Sequence, residues 1–122
     1  MSFSDYAEAK LLDHLLAVAS FTIPSGVWVK LHLGDPGETG VTAPAVNTVR
    51  QSVTFSAASG GTSTSSNTPT WTSVSTSETY SHISLWDNVS AGNCFGSGAL
   101  AASKAVIAGD TFQLTTVTVT LD

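Results

Sequence analysis

The residues with chemical potential in this chain are three histidines (His14, His32 and His82), a single cysteine (Cys94), and two carboxylates three positions apart in a glycine-rich run, Asp35 and Glu38. Histidines near carboxylates serve metal binding or proton transfer, and a serine or cysteine beside a histidine serves acyl transfer. A metal site needs three or more convergent ligands, and neither an HxH nor an HExxH spacing occurs. His32 and His82 share parity with Trp28, Tyr80 and Trp86, so they read as polar members of an aromatic face and come together if their strands pair. No serine sits in a G-x-S-x-G elbow. Gly96-Ser97-Gly98 comes closest, but its glycines suit a close backbone approach or a bulge. Cys94 has no basic sequence neighbour to activate it and reads as a small buried hydrophobe. As the sole cysteine it excludes an internal disulfide and a thiolate zinc site.

The remaining carboxylates suggest calcium before catalysis. Asp35, Glu38, Asp87 and Asp110 all fall at expected strand ends, yet the D-x-[DN]-x-[DN]-G pattern is absent. An aspartate in a Gly/Pro turn generally binds its own backbone, and Asp110 after Gly109 reads as a turn residue. Trp28, Trp71 and Trp86 are of a type that stacks on sugars when exposed, but tryptophans in sandwiches more often fill the core. The expectation is therefore no catalytic residue, no metal ligand and no cofactor.

Elements must place these groups. Val27, Val29, Leu31 and Leu33 alternate with Trp28, Lys30 and His32, as in a half-buried strand. The chain then breaks into Gly34-Asp35-Pro36-Gly37-Glu38-Thr39-Gly40, a shaped, exposed loop. Gly34, Asp35, Pro36, Gly37 and Glu38 form a candidate docking loop. Upstream, Asp5 to about Ala19 predicts a helix capped by Asp5 with Glu8 three residues on. Its stripe of Leu11, Leu12, Leu15, Leu16 and Ala19 is a candidate packing face against its own sheet, a partner subunit or a larger body. Ser20 to Pro24 ends the helix.

Beyond Pro24 the spacing predicts strands at Val27–Leu33, Thr48–Ser56, Thr68–Val74, Thr79–Trp86, Cys94–Leu100, Lys104–Ile107 and Thr111–Leu121. Phe112 and Leu114 share one parity and Val117, Val119 and Leu121 the other, which calls for a bulge or bend near Thr115-Thr116. The serine- and threonine-rich stretch Ser56–Thr68 predicts a long hairpin loop, ordered against a neighbouring subunit. The expected fold is mainly β: a sandwich or jelly roll of about seven strands with one amphipathic N-terminal helix. A single domain over 1–122 is expected, with 1–22 forming the helix and its connection and 23–122 the sandwich.

Composition narrows the partners. The 122 residues are 42% hydrophobic, enough for one core. No apolar run approaches the ~18 residues of a membrane span, and the start lacks the basic region of a secretory signal. The net charge is −5, and Lys10, Lys30, Arg50 and Lys104 are scattered, which argues against nucleic acid. Sparse charge with abundant hydroxyls suits sheets that pack against copies of themselves.

At LHLGDPGETG the chain resembles small bacteriophage virion proteins, usually described as tail-fibre or minor tail proteins. The likeness takes in SDYAEAKLLDHLL, RQSVTFSAASGG, ETYSHISLWD, GALAASKAV and the ending AGDTFQL…VTVTLD, nearly the whole length. It implies a non-enzymatic virion protein on the tail or capsid surface, whose partners are copies of itself (a homotrimer preferred), other phage structural proteins and host surface glycan. A capsid decoration protein is the alternative within the virion, and a free carbohydrate-binding module the alternative outside it.

Overall fold

The computed structural model describes residues 1–121, with one helix and nine strands among them. The strands are β1 (Ser2–Phe3), β2 (Val27–His32), β3 (Gln51–Val53), β4 (Thr62–Thr64), β5 (Thr70–Trp71), β6 (Glu78–Trp86), β7 (Cys94–Val106), β8 (Phe112–Gln113) and β9 (Thr118–Thr120). The helix, α1, spans Asp5–Leu15. One antiparallel sheet has the order β1-β7-β6-β2-β3; β4 pairs with β9 and β5 with β8 as separate two-stranded ribbons. The core lies between the five-stranded sheet, which supplies Val29, Leu31, Val53, Tyr80, Ile83, Leu85 and Val106, and the other side of the fold, where the β5–β8 ribbon supplies Trp71 and Phe112 and the link from β8 to β9 supplies Leu114 and Val117. The mainly β architecture expected from the alternation is thus the one observed.

Several boundaries differ for physical reasons. The run Cys94–Leu100 and the run Lys104–Ile107 belong to one strand, β7. Tyr80 pairs with Lys104 while His82 pairs with Ala99, so Leu100 to Ser103 bulge outward opposite Ser81. The same irregularity reverses parity in β6. Tyr80 turns into the core with Ile83 and Leu85, and does not share the face of His82 and Trp86 as its parity suggested. The stretch 56–68 is ordered within the chain: Ser59 and Thr62 exchange backbone bonds around Gly60 and Gly61, and β4 pairs with β9. The last segment breaks between β8 and β9, where Leu114 and Val117 both reach the core, as the change of phase requires. Gly96 admits β1, because a Cβ there would run into the Ser2 carbonyl oxygen.

The helix starts one residue earlier than its acids suggest. Ser4, not Asp5, is the N-cap: its hydroxyl accepts from the Ala7 amide at 3.1 Å and donates to the Cys94 carbonyl. None of the α1 residues is buried. Within a single chain the leucine stripe does not lie on the sheet: Leu11 is half-buried, and Leu12, Leu15 and Leu16 are 56%, 66% and 69% exposed.

Candidate functional site

The loop after β2 leaves the sheet at Leu33 and returns to it at Pro44. The Leu33 amide donates to the Ala43 carbonyl at 2.9 Å and the Ala45 amide to the Leu31 carbonyl at 3.1 Å, so the return strand extends the edge that β3 covers lower down. Inside the loop, Asp35 accepts from the Gly37 amide at 3.0 Å, closing a turn on its own backbone. The Thr42 amide reaches the Pro36 carbonyl at 3.0 Å. Pro36 is buried, Gly34 half-buried, and Asp35, Gly37 and Glu38 are exposed. Gly40 is the tightest point: its φ is +72°, and a Cβ there would meet Cys94 Sγ at 2.6 Å and the Trp86 ring at 3.0 Å. The loop is thereby pressed onto the sheet face away from the core.

A buried polar chain holds it there. His32 pairs directly with His82 across β2 and β6, the juxtaposition their alternation predicted. Its ring, however, turns to other partners. Nδ1 lies 2.9 Å from the Thr42 carbonyl of the loop, and Nε2 lies 2.7 Å from Ser84 Oγ. A carbonyl only accepts, so Nδ1 carries the proton and Nε2 accepts from the Ser84 hydroxyl. Ser84 Oγ in turn accepts from Trp86 Nε1 at 2.7 Å. His32 and Ser84 have no exposed surface, and burial pushes the His32 pKa below its ordinary value. A serine 2.7 Å from an imidazole is the spacing of a nucleophile and its base. Sealed from solvent and committed at both ring nitrogens, this pair instead fastens the loop to the sheet.

The β6–β7 turn completes this end of the molecule. Asp87 holds the Asn93 amide at 2.7 Å and its side-chain nitrogen at 3.1 Å. Arg50 lies 4.1 Å from the centre of the Trp86 ring and donates to the carbonyls of Asn88 and Ala91, each at 2.8 Å. Lys30 lies over the same ring at 5.6 Å. Between the turn, the loop and the start of α1 runs an open cleft of about 300 Å³, lined in part by Asp5, Tyr6, Glu38, Trp86 and Asn93. Cys94 borders it but is buried, and desolvation raises its thiol pKa, which keeps it protonated. Asp110 accepts from the Ile107 amide at 2.9 Å and serves its own turn.

Among the described residues no three His, Cys, Asp or Glu side chains converge as metal ligands. His14 stands apart, accepting from the Phe21 amide at 3.0 Å beyond the helix end. Trp71 fills the core and donates to the Val49 carbonyl at 2.7 Å. Of the site residues read from the sequence, the five loop positions stay together. The leucine stripe faces out from a different element. Two contributors were not legible as such, Ser84 in an alternating strand and Arg50, whose stacking partner lies 36 residues away in sequence; Gly40 was expected to shape the loop, but not to be its point of contact with Cys94 and Trp86. The alternation of Trp86, Ser84 and His82 was the only available signal for the polar face.

The structure thus presents a loop fixed to the sheet, an exposed leucine stripe on α1 and carboxylates bound to their own turns. Comparison with curated proteins gives no match. A family model described as podophage GP4 fiber I protein gp80 matches residues 2–122. Over that length the chain belongs to the podophage GP4 fiber I protein family, a phage fibre family of virion tails.

Proposed function

We propose that the protein is a non-enzymatic module of a phage tail fibre, folded as one unit over 1–122, that works by assembling with copies of itself and docking on other virion proteins. The observation that carries this reading is the loop end. Loop 34–43 is fixed by backbone bonds and by His32, yet presents Asp35, Gly37 and Glu38 to the outside. Such fixed, exposed loops on a rigid scaffold bind without ordering costs. Gly34, Asp35, Pro36, Gly37 and Glu38 form the docking loop in this reading. A homotrimer is the preferred assembly, by likeness to other small virion modules.

The test is where the protein sits in the particle and in how many copies. Quantitative mass spectrometry of purified virions should give a low ratio to the major capsid protein, with immunogold label at the tail. Hundreds of copies with label over the heads would replace this reading with capsid decoration.

A further inference from the structure

The segment that follows the first turns of α1 exposes a run of aliphatic side chains. Leu12, Leu15, Leu16, Val18 and Ile23 are 56% to 84% exposed, and every residue from Leu15 to Ser20 is exposed. Exposed aliphatic residues in such a run mark a contact surface. The segment is rooted at one place. Tyr6 stacks on Phe95 at 6.4 Å and Phe21 meets the same ring edge-on at 6.4 Å, so the chain between them leaves the body and returns to the point it left. Its far end is closed by a C-terminal cap in which the Val18 amide reaches the Asp13 carbonyl at 2.8 Å and the Ala17 amide the His14 carbonyl at 3.3 Å. The result is a structured arm with an aromatic root and an aliphatic tip.

We infer that this arm is the self-association element: the aliphatic tip of one copy packs against the same segment of a second copy. The inference rests on the proposed assembly of the fibre and names the surface that makes it. Charge selects the occupant. Residues 15–29 carry no charged side chain in a chain of net charge −5, so copies approach there with the least repulsion. A lipid surface fits worse. Interfacial helices carry Lys and Arg on the polar face, whereas α1 has Asp5, Glu8 and Asp13 against one lysine, Lys10, whose ammonium lies 5.8 Å over Tyr6, and His14, which accepts from the Phe21 amide. The occupant must offer a comparable aliphatic cluster, and this chain exposes one in the arm itself. Asp5 and Glu8 share the outward stripe near the root and keep the contact at the tip. A full-length parallel pairing would set those acids against each other.

Sedimentation velocity on the full chain in the micromolar range, with Leu12→Gln/Leu15→Gln beside wild type, tests this. Wild type should sediment as an oligomer, and the double variant should associate at least about tenfold more weakly. Its melting, measured at a concentration where both are monomeric, should be unchanged, because both leucines are exposed in the single chain. A control pair elsewhere on the surface, Val89→Gln/Ile107→Gln, should associate as wild type does. A wild-type monomer at all concentrations, or a double variant that assembles as wild type, overturns the inference. So does a solution monomer that co-sediments with phosphatidylcholine–phosphatidylglycerol vesicles, which would make lipid the occupant. Tail label in the virion together with a solution monomer would sink the arm contact and leave the fibre reading standing.

Discussion

His32 has no exposed surface, and its hydrogen bonds leave no room for a second proton. Protonating Nε2 would turn it into a donor facing Ser84 Oγ, which already accepts from Trp86. Burial therefore lowers the folded pKa, an effect reinforced by Lys30 and His82 and opposed by the bond to the Thr42 carbonyl. The unfolded chain takes up its proton near ~6.5. Below that pH, down to the folded value, the unfolded state binds more protons, so stability rises with pH there. The contribution is complete above about 6.5 and is lost as pH falls toward the folded pKa. Urea midpoints should hold steady above neutrality and drop in mild acid, and His32→Gln should flatten that drop; an equal drop in the variant would assign it to other groups. Ser84→Ala tests the same chain at fixed pH. It strips partners from His32 Nε2 and Trp86 Nε1, each costing about 1–3 kcal/mol when left buried and unpaired. A change under 0.5 kcal/mol in urea unfolding, roughly the range of surface substitutions, would mean the chain is not closed as described. The facing of His32 and His82 was legible because period-2 alternation fixes which face a side chain takes. Ser84 was not, since a serine in an alternating strand is also the usual solvent-facing residue.

At the scale of elements, local chemistry predicted existence well and edges poorly. The helix was legible from its good formers, but Ser4 took the cap because the β1 pairing with β7 places its hydroxyl by the Cys94 carbonyl, a contact 90 positions away. Similarly, β7 reads as two strands because Leu100 to Ser103 interrupt the pattern, while distant pairing with β6 makes it one. β3 spans three residues and not the nine of Thr48–Ser56, since the edge of β2 beyond Val29 is taken by the returning loop at Ala43 to Ala45. The helix exit yields a prediction. Ala17 sits at φ +61°, the left-handed position that glycine fills at helix ends. An L-residue there costs roughly 1–2 kcal/mol, so Ala17→Gly should strengthen the cap by about 1 kcal/mol. The arm has few contacts with the body, so the gain should appear locally, as amide exchange over 13–18 slowed about fivefold with little change in global melting. Faster exchange in the variant would show that the flexibility of the unfolded glycine outweighs the relieved strain.

For the whole molecule, the balance between long-range charge and local apolar contact sets how assembly responds to salt. Each copy carries a net charge of −5, and only four side chains are basic. Of these, Arg50 is committed to the β6–β7 turn and Lys30 lies over the Trp86 ring, so few cations remain to bridge between copies. In the proposed assembly, copies repel at a distance and attract only where the uncharged arm meets its counterpart. The Debye length shrinks from about 30 Å at 0.01 M salt to about 8 Å at 0.15 M, which removes the repulsion and leaves apolar packing intact. Self-association should therefore tighten as salt rises, and sulfate should favour it beyond its ionic strength because it strengthens apolar burial. Sedimentation across a sodium chloride series, repeated in sodium sulfate, reads this directly. Dissociation at high salt would mean that ion pairs carry the contact, with Glu38 and Asp35 of the loop after β2 as the first acids to replace by their amides. Composition made the sign of this effect legible at the outset. Its location was not, because helical periodicity shows that a leucine stripe exists but not whether the chain's own sheet covers it.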